Sequence, residues 1–191
     1  MTVGGALLFP GAGSSRTQPA LVAVDRALVD AFGPDFSVVR ADFPYRREGR
    51  RAPDRAPKLI ACVREEAELL ASKAGIEPAS VVLGGRSMGG RMCSMAVAEG
   101  LPAAGLALIS YPLHAPGREA NLRVDHFGDL GVPCLFVSGT RDPFGTPDEL
   151  ESHTRAIPGP VTHVWIDGGR HDLKGADPQV AEAVVTWAHG L

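Results

Sequence analysis

The chain has 191 residues, of which 45% are hydrophobic and 21% charged, and its formal net charge at pH 7 is -3. This composition indicates a globular protein, the length fits a single domain over residues 1–191, and no apolar stretch is long enough to span a membrane. The slightly acidic balance favours neither nucleic acid nor a membrane as a partner, and the N-terminus lacks the basic segment of a secretion signal, so we expect a cytoplasmic protein.

Short apolar runs alternate with longer amphipathic segments along the whole chain. Most of the runs are apolar throughout, which is typical of strands buried on both faces of a parallel sheet. The alternation predicts an α/β fold with an about six-stranded, mostly parallel sheet and helices on both faces, and we expect the last run to form an edge strand. The predicted strands are residues 3–9, 36–42, 80–85, 104–110, 133–138 and 161–166.

The loop after the first predicted strand, Phe9–Ser15, is rich in glycine. Such a loop can turn its backbone amides inward and stabilise an oxyanion. Phosphate binding is the alternative, but the loop has neither the lysine of a P-loop nor the full spacing of a dinucleotide fingerprint. We therefore expect no cofactor.

A basic segment, Arg46–Lys58, follows the second predicted strand and carries six basic and two acidic side chains. It could steer an anionic substrate or partner toward a neighbouring site. The alternative is a solvated loop without a functional role, which is the commoner meaning of such a run.

The segment Gly85–Gly89 follows the third predicted strand and places Ser87 inside a Gly-x-Ser-x-Gly frame. This context predicts a nucleophile elbow, in which a strained turn exposes the serine Oγ atom and the glycines let strand and helix approach each other. A serine that only caps the following helix is the alternative. Arg86 and Arg91 flank the elbow, and Arg86 is a candidate for contacting a substrate or pairing with a carboxylate.

Asp142 and His171 follow the fifth and sixth predicted strands, in loops that also contain glycine. Because the carboxyl ends of parallel strands meet at one edge of the sheet, we expect both side chains to lie near Ser87. They would then be the acid and the general base of a catalytic triad. The alternatives are a turn aspartate before Pro143 and a plain loop histidine.

Two segments carry signals for the start of a helix. Thr146–Glu149 combines a capping box with proline at the first helical position, and Asp177-Pro178 places a capping residue before proline, so we expect a helix to begin at each.

Cys62, Cys93 and Cys134 are widely separated among apolar residues. This favours reduced, buried thiols, and we expect neither a disulfide nor a metal site.

Four segments together resemble an α/β-hydrolase over essentially the whole chain. Within that superfamily, the elbow and the run Tyr111–His114 are similar to a small, capless group. This group includes the dienelactone-hydrolase-like proteins and the hydrolase-like domain of testis-expressed protein 30 and the KAT8 regulatory complex subunit 3. The four segments are Pro10–Gly13, Gly85–Arg91, Gly139–Asp142 and Gly169–Leu173.

The resemblance implies a reduced α/β-hydrolase fold without a large cap domain. It also implies a triad of Ser87, Asp142 and His171. The backbone amides of Ala12 and Met88 are implied as the oxyanion hole. The order of nucleophile, acid and histidine along this chain is the order found in α/β-hydrolases.

Two departures from the family pattern bear on the site. Pro10 stands where many relatives have histidine, and the chain is too short for two leading antiparallel strands and a lid, so Pro112–Leu130 is the one segment with room for a cover. Without a large apolar cover we expect an open site. The candidate wall residues, chosen by loop position, are Tyr45, Tyr111, His114 and Phe144.

These features predict a serine hydrolase of the carboxylesterase or thioesterase type. We expect it to act on a small, soluble ester or thioester through an acyl-enzyme, as a monomer or a homodimer. The alternative is a catalytically idle α/β-hydrolase scaffold that serves as a binding or regulatory protein, since fold does not determine function. A third hypothesis keeps the triad but directs it at peptides or at an acceptor other than water.

Overall fold

The computed structural model describes residues 3–191, and six strands form where the apolar runs predicted them. They are β1 (Gly5–Phe9), β2 (Ser37–Arg40), β3 (Val81–Arg86), β4 (Gly105–Ile109), β5 (Cys134–Gly139) and β6 (Val161–Ile166). All pair in parallel in the order β2-β1-β3-β4-β5-β6. The predicted α/β class is confirmed, and β6 lies at an edge as expected.

Helices cover both faces of this sheet. They are α1 (Pro19–Phe32), α2 (Pro44–Arg47), α3 (Ala56–Ala74), α4 (Met88–Ala98), α5 (Pro147–Thr154) and α6 (Asp177–Ala188). Helices α1 and α6 pack on one face, and α3 and α4 pack on the other. Successive strand residues point to opposite faces, so Leu7 packs in the layer of α3 and α4 whereas Leu8 packs in the layer of α1 and α6. Burying a leucine side chain in this way contributes about 2 kcal/mol to folding.

The direction in which the chain crosses the sheet changes between β1 and β3. Strand β2 lies on one side of β1, and β3 lies on the other side. Loops that leave neighbouring parallel strands at such a point diverge and open a crevice at the carboxyl edge of the sheet. Here the two loops are Phe9–Ser15 and the turn at Ser87, so the glycine-rich loop and the elbow flank one crevice.

The capping box at Thr146 is present, since its Oγ1 accepts from the backbone amide of Glu149 and the Glu149 carboxylate accepts from the amide of Thr146. The cap expected at Asp177 is wrong. Helix α6 begins at Asp177, and the capping position belongs to Ala176, which has no side-chain acceptor to offer. The three cysteines are free and buried, as the sequence predicted.

No cap domain is inserted anywhere within residues 3–191. The segment Pro112–Leu130 forms only an irregular connection with one short 3-10 turn at Phe127–Asp129. Across the same described residues, no helix is both long and apolar enough to cross a membrane. The loops that follow the strands and the short helix α2 lie at the carboxyl edge of the sheet.

Candidate active site

Ser87 lies on a strained turn between β3 and α4, with φ 51° and ψ -116°. A side chain at Gly85 or Gly89 would overlap the carbonyl oxygen of Phe9, so only glycine permits this close approach of β1 to the turn. The turn is anchored by the amide of Ser87, which donates to the carbonyl of Ile109 on β4 at 2.8 Å. Strain of this kind persists only where surrounding structure enforces it.

Ser87 is the residue directly before helix α4, but its Oγ atom makes no capping hydrogen bond. Instead, Ser87 Oγ lies 3.0 Å from Nε2 of His171. The alternative of a serine that only caps its helix does not describe this geometry.

Asp142 holds the other side of the His171 ring. Nδ1 of His171 lies 2.8 Å from Oδ2 and 3.0 Å from Oδ1 of Asp142, whose side chain is almost fully buried. The backbone amide of Phe144 also donates to Asp142 Oδ1 at 2.9 Å, and the Phe144 ring stacks on the imidazole with centroids 3.9 Å apart. When Nδ1–H donates to the carboxylate, Nε2 is left free to accept the proton of the Ser87 hydroxyl.

The glycine-rich loop is held next to the elbow by its own hydrogen bonds. The amide of Gly11 donates to the side chain of Gln18 at 3.2 Å, and the amide of Gly13 donates to the hydroxyl of Tyr45 at 3.2 Å. Between them, Ala12 borders the same cavity as Ser87, and within residues 3–191 its amide has no acceptor.

A cavity of about 400 Å³ opens above Ser87. Arg86 and Phe144, two of the side chains proposed from the sequence to meet the substrate, line it. Its lining residues are Gly11, Ala12, Arg86, Ser87, Met88, Arg91, Pro112, Arg123, Phe144 and His171. A larger groove of about 880 Å³ lies between β6 and α6 and contains none of these residues.

Tyr45, Tyr111 and His114 are not among the lining residues, which corrects their expected role as walls. All three side chains turn into the protein and are buried. The Tyr45 hydroxyl accepts the Gly13 amide, whereas the Tyr111 hydroxyl donates to the carbonyl of Arg123 at 2.7 Å. The two tyrosine rings gain more from the apolar core than from the open site, and their hydroxyl groups support the loops of the site from behind.

Two of the six basic side chains in the segment Arg46–Lys58 pair with its two carboxylates. Arg50 pairs with Glu48 and Asp54, and Lys58 pairs with the same two carboxylates. No residue of the segment lines the cavity. These contacts favour the alternative of a solvated loop over a steering role.

Residues 5–188 match a family described as an alpha/beta hydrolase domain. The chain belongs to the alpha/beta hydrolase family. Over residues 3–191, this hydrolase chain has no cluster of three or more histidine, cysteine, aspartate or glutamate side chains that could hold a metal ion.

Two solved structures resemble this alpha/beta hydrolase chain in fold, and a further protein resembles part of its sequence. Est1E from Butyrivibrio proteoclasticus has 14% identity and a TM-score of 0.78, with 99% of this chain and 88% of that chain covered. Dienelactone hydrolase from Anabaena variabilis ATCC 29413 has 19% identity and a TM-score of 0.78, with 99% and 87% covered. A 63-residue segment, 32% of this chain, is 36% identical to epoxide hydrolase A of Mycobacterium tuberculosis (strain ATCC 25618 / H37Rv) but spans only 20% of that relative.

Two arginines that line the cavity of this hydrolase chain, Arg91 and Arg123, were not predicted from the sequence to contact a substrate. Arg91 flanks the elbow motif, and its position four residues after Ser87 on a helix places it on the serine's side of α4. That spacing could have identified it. Arg123 lies in the irregular segment Pro112–Leu130, where no periodicity or motif indicates which side chains face the site.

Proposed function

We propose that the protein is a serine hydrolase of the carboxylesterase or thioesterase type, with Ser87 as nucleophile, His171 as general base and Asp142 as the acid that orients it. The supporting observation is the continuous hydrogen-bond chain from Asp142 Oδ2 through His171 to Ser87 Oγ, with steps of 2.8 and 3.0 Å. The strained turn at Ser87 adds to it, because strain at a buried turn is typical of a nucleophile elbow.

In acylation, Ser87 Oγ bonds to the carbonyl carbon while His171 Nε2 takes the hydroxyl proton. The carboxylate of Asp142 stabilises the imidazolium that forms. We assign the backbone amides of Ala12 and Met88 as donors to the oxyanion, and one such donor typically contributes about 3 kcal/mol to lowering the barrier. The intermediate then collapses, the bond to the leaving group breaks, and His171 returns its proton to that group.

In deacylation, a water molecule takes the place of the leaving group. His171 Nε2 removes a proton from the water as the water oxygen bonds to the acyl carbon. Collapse of the second intermediate releases the carboxylic acid, and Ser87 Oγ recovers its proton from His171. The cycle needs no group besides the triad, the two amides and water.

Small, soluble substrates fit this proposal. The cavity of about 400 Å³ is near the lower end of ligand-binding pockets, and no cap domain covers it within residues 3–191. A long acyl chain would therefore extend into solvent and gain little from binding.

We also propose that the chain belongs with the small, capless hydrolases that include the dienelactone-hydrolase-like and testis-expressed protein 30-like proteins. The lack of a cap domain in the described part of the chain and the elbow sequence Gly85–Arg91 support this. The cytoplasmic location and the monomeric or homodimeric state stay predictions from the sequence.

A fluorophosphonate probe tests the proposal, because it labels an activated serine covalently. We expect labelling of the wild type and of the control Ser72→Ala, which removes an exposed hydroxyl on α3, and no labelling of Ser87→Ala. In parallel, 4-nitrophenyl acetate, butyrate and octanoate and the matching thioesters are assayed. Ser87→Ala should lower kcat at least about a thousandfold, and octanoate should be the poorest substrate.

Folded wild-type protein that neither reacts with the probe nor hydrolyses any of these compounds would contradict the proposal. That result would favour the idle scaffold with a binding or regulatory role. Labelling that persists in Ser87→Ala would place the nucleophile elsewhere.

A further inference from the structure

The cavity above Ser87 is lined by three arginines and by no aspartate or glutamate. None of Arg86, Arg91 and Arg123 forms an ion pair within residues 3–191. Holding like charges together in a partly enclosed site is unfavourable unless an opposite charge joins them. The basic segment Arg46–Lys58 is not part of this cluster, because none of its residues lines the cavity. Three of its basic side chains, Arg47, Arg50 and Lys58, have carboxylate partners.

Arg86 differs from the other two arginines. Its guanidinium donates to the backbone carbonyl of His171. It therefore holds the loop that carries the triad histidine, and part of its donor capacity is used. Arg123 makes only one long contact of this kind within residues 3–191, from Nη1 to the carbonyl of Pro112 at 3.5 Å, so most donors left for a ligand belong to Arg91 and Arg123.

Arg91 lies about one helical turn after Ser87, a rise of roughly 5–6 Å along α4. Its Nε atom is buried and has no hydrogen-bond partner in the described part of the chain. A buried donor without an acceptor costs about 1–3 kcal/mol, and an acceptor that a ligand brings to the Arg91 guanidinium from the adjacent cavity would offset part of that cost.

Arg123 reaches the same cavity from the segment Pro112–Leu130, and its backbone is fixed at both polar atoms. Its carbonyl accepts from the Tyr111 hydroxyl at 2.7 Å, and its amide donates to the carbonyl of Leu113 at 2.9 Å. Burial, followed by the nearby charge of Arg91, lowers the pKa of the Arg123 guanidinium. The two guanidinium groups are thus close enough to repel each other. The two backbone hydrogen bonds keep Arg123 at the cavity in spite of this repulsion.

We propose that Arg91 and Arg123 form a subsite for a compact anionic group, a carboxylate or a phosphate, carried by the substrate. Two guanidinium groups offer planar sets of N–H donors that match the oxygens of either group. This inference rests on the proposed esterase function and narrows its substrate class to esters or thioesters with a free anionic group a few bonds from the scissile carbonyl. Tyr111 is then a positioning residue that acts through the Arg123 backbone.

A matched pair of esters tests the subsite: the mono-4-nitrophenyl ester of adipic acid and the methyl ester of the same compound, which differ only in the free carboxylate. For the wild type we expect kcat/KM to favour the charged ester at least about tenfold. Arg91→Gln and Arg123→Gln should each bring this ratio close to one, mainly through KM. Arg118→Gln, an exposed arginine in the same segment, should keep the wild-type ratio.

Three additional measurements separate an effect of charge from a loss of folding. Arg91→Lys and Arg123→Lys keep the charge but lose the planar fork, so they should recover part of the preference. Raising the salt concentration should weaken turnover of the charged ester more than that of the neutral ester. Thermal melting of each variant shows whether the fold is retained.

Calorimetric titration of Ser87→Ala with glutarate and with inorganic phosphate measures the subsite without catalysis, and it shows which anion is preferred. Binding that disappears when Arg91→Gln or Arg123→Gln is added supports the subsite, even if no ester is hydrolysed and the proposed function fails. Hydrolysis of the neutral ester at least as fast as the charged one, with no binding of either anion, overturns the subsite and leaves the esterase proposal intact.

Discussion

The ring of Phe144 stacks on the imidazole of His171, with centroids 3.9 Å apart and 24° between the planes. The backbone amide of Phe144 donates to Asp142 at the same time. One residue therefore supports both the base and the acid of the proposed triad, and its side chain can be removed without removing its amide.

Phe144→Ala should lower kcat about tenfold to a hundredfold, because the imidazole loses the surface that fixes its plane and a displacement of about 1 Å is enough for such a loss. Steady-state kinetics on 4-nitrophenyl acetate measures the effect. Phe32→Ala is the control, since Phe32 also stacks on a histidine, His189, with centroids 4.4 Å apart and outside the cavity. Equal kinetic losses in the two variants would contradict a specific role for Phe144.

Tyr45→Phe should lower kcat about fivefold to tenfold with little change in KM. The variant loses the acceptor of the Gly13 amide, so the loop that carries Ala12 becomes less well fixed, and one neutral hydrogen bond contributes about 1 kcal/mol. Tyr111→Phe is the matched comparison, because its hydroxyl holds Arg123 instead. We expect it to reduce the preference for the charged ester more than it reduces kcat for the neutral one.

If Tyr45→Phe and Tyr111→Phe change the same parameter on both esters, the two hydroxyl groups do not serve separate parts of the site. The ratio of kcat/KM for the charged and neutral esters distinguishes the two results.

Gly89→Ala should destabilise the fold by about 3 kcal/mol or more, because the added methyl group would overlap the backbone of Phe9 and Pro10, which cannot yield as a flexible side chain does. Urea unfolding followed by circular dichroism measures the free energy of unfolding. Gly128→Ala is the control, since a methyl group there meets no atom within 4 Å. A change of less than about 1 kcal/mol for Gly89→Ala would show that strand β1 and the elbow are less tightly apposed.

The stability of the protein should fall as the pH drops from about 6.5 toward 4. Burial lowers the pKa of His126 to about 4, and burial also lowers the pKa of His163. Between the unfolded and folded pKa values, the unfolded chain binds a proton that the folded protein does not, so acid favours unfolding. For His126 the loss is about 1–2 kcal/mol by pH 4, after allowance for its partial exposure to solvent.

Urea unfolding at pH 7, 5.5 and 4.5 measures this dependence. His126→Gln, which can still hydrogen bond to Ser94, should reduce the slope without abolishing it, because His163 contributes in the same direction. Ser72→Ala on α3, which removes no titratable group, is the control and should keep the wild-type slope. An unchanged slope in His126→Gln would mean that this ring titrates alike in the folded and unfolded chains.

The sheet and the elbow could be predicted from the amino-acid sequence. Strands buried on both faces must be apolar throughout, and the Gly-x-Ser-x-Gly spacing directly after such a strand is a short pattern that indicates the elbow. The structure adds the physical reason for the glycines, since side chains at Gly85 and Gly89 would meet Phe9. The closeness of Asp142 and His171 to Ser87 could also be predicted, because all three residues follow strands and parallel strands end at one edge of the sheet. These features depend on short segments and on one general rule of topology.

The sequence did not predict which loop side chains face the cavity, because this depends on packing between distant parts of the chain. Tyr45, Tyr111 and His114 lie in the expected loops, yet packing turns them into the interior, where burial of their rings is favourable. Arg123 belongs to a segment without periodicity, and it reaches the cavity because Tyr111 and Leu113 hold its backbone there. The direction of a side chain in an irregular loop depends on contacts with residues distant in the chain, so no local pattern records it.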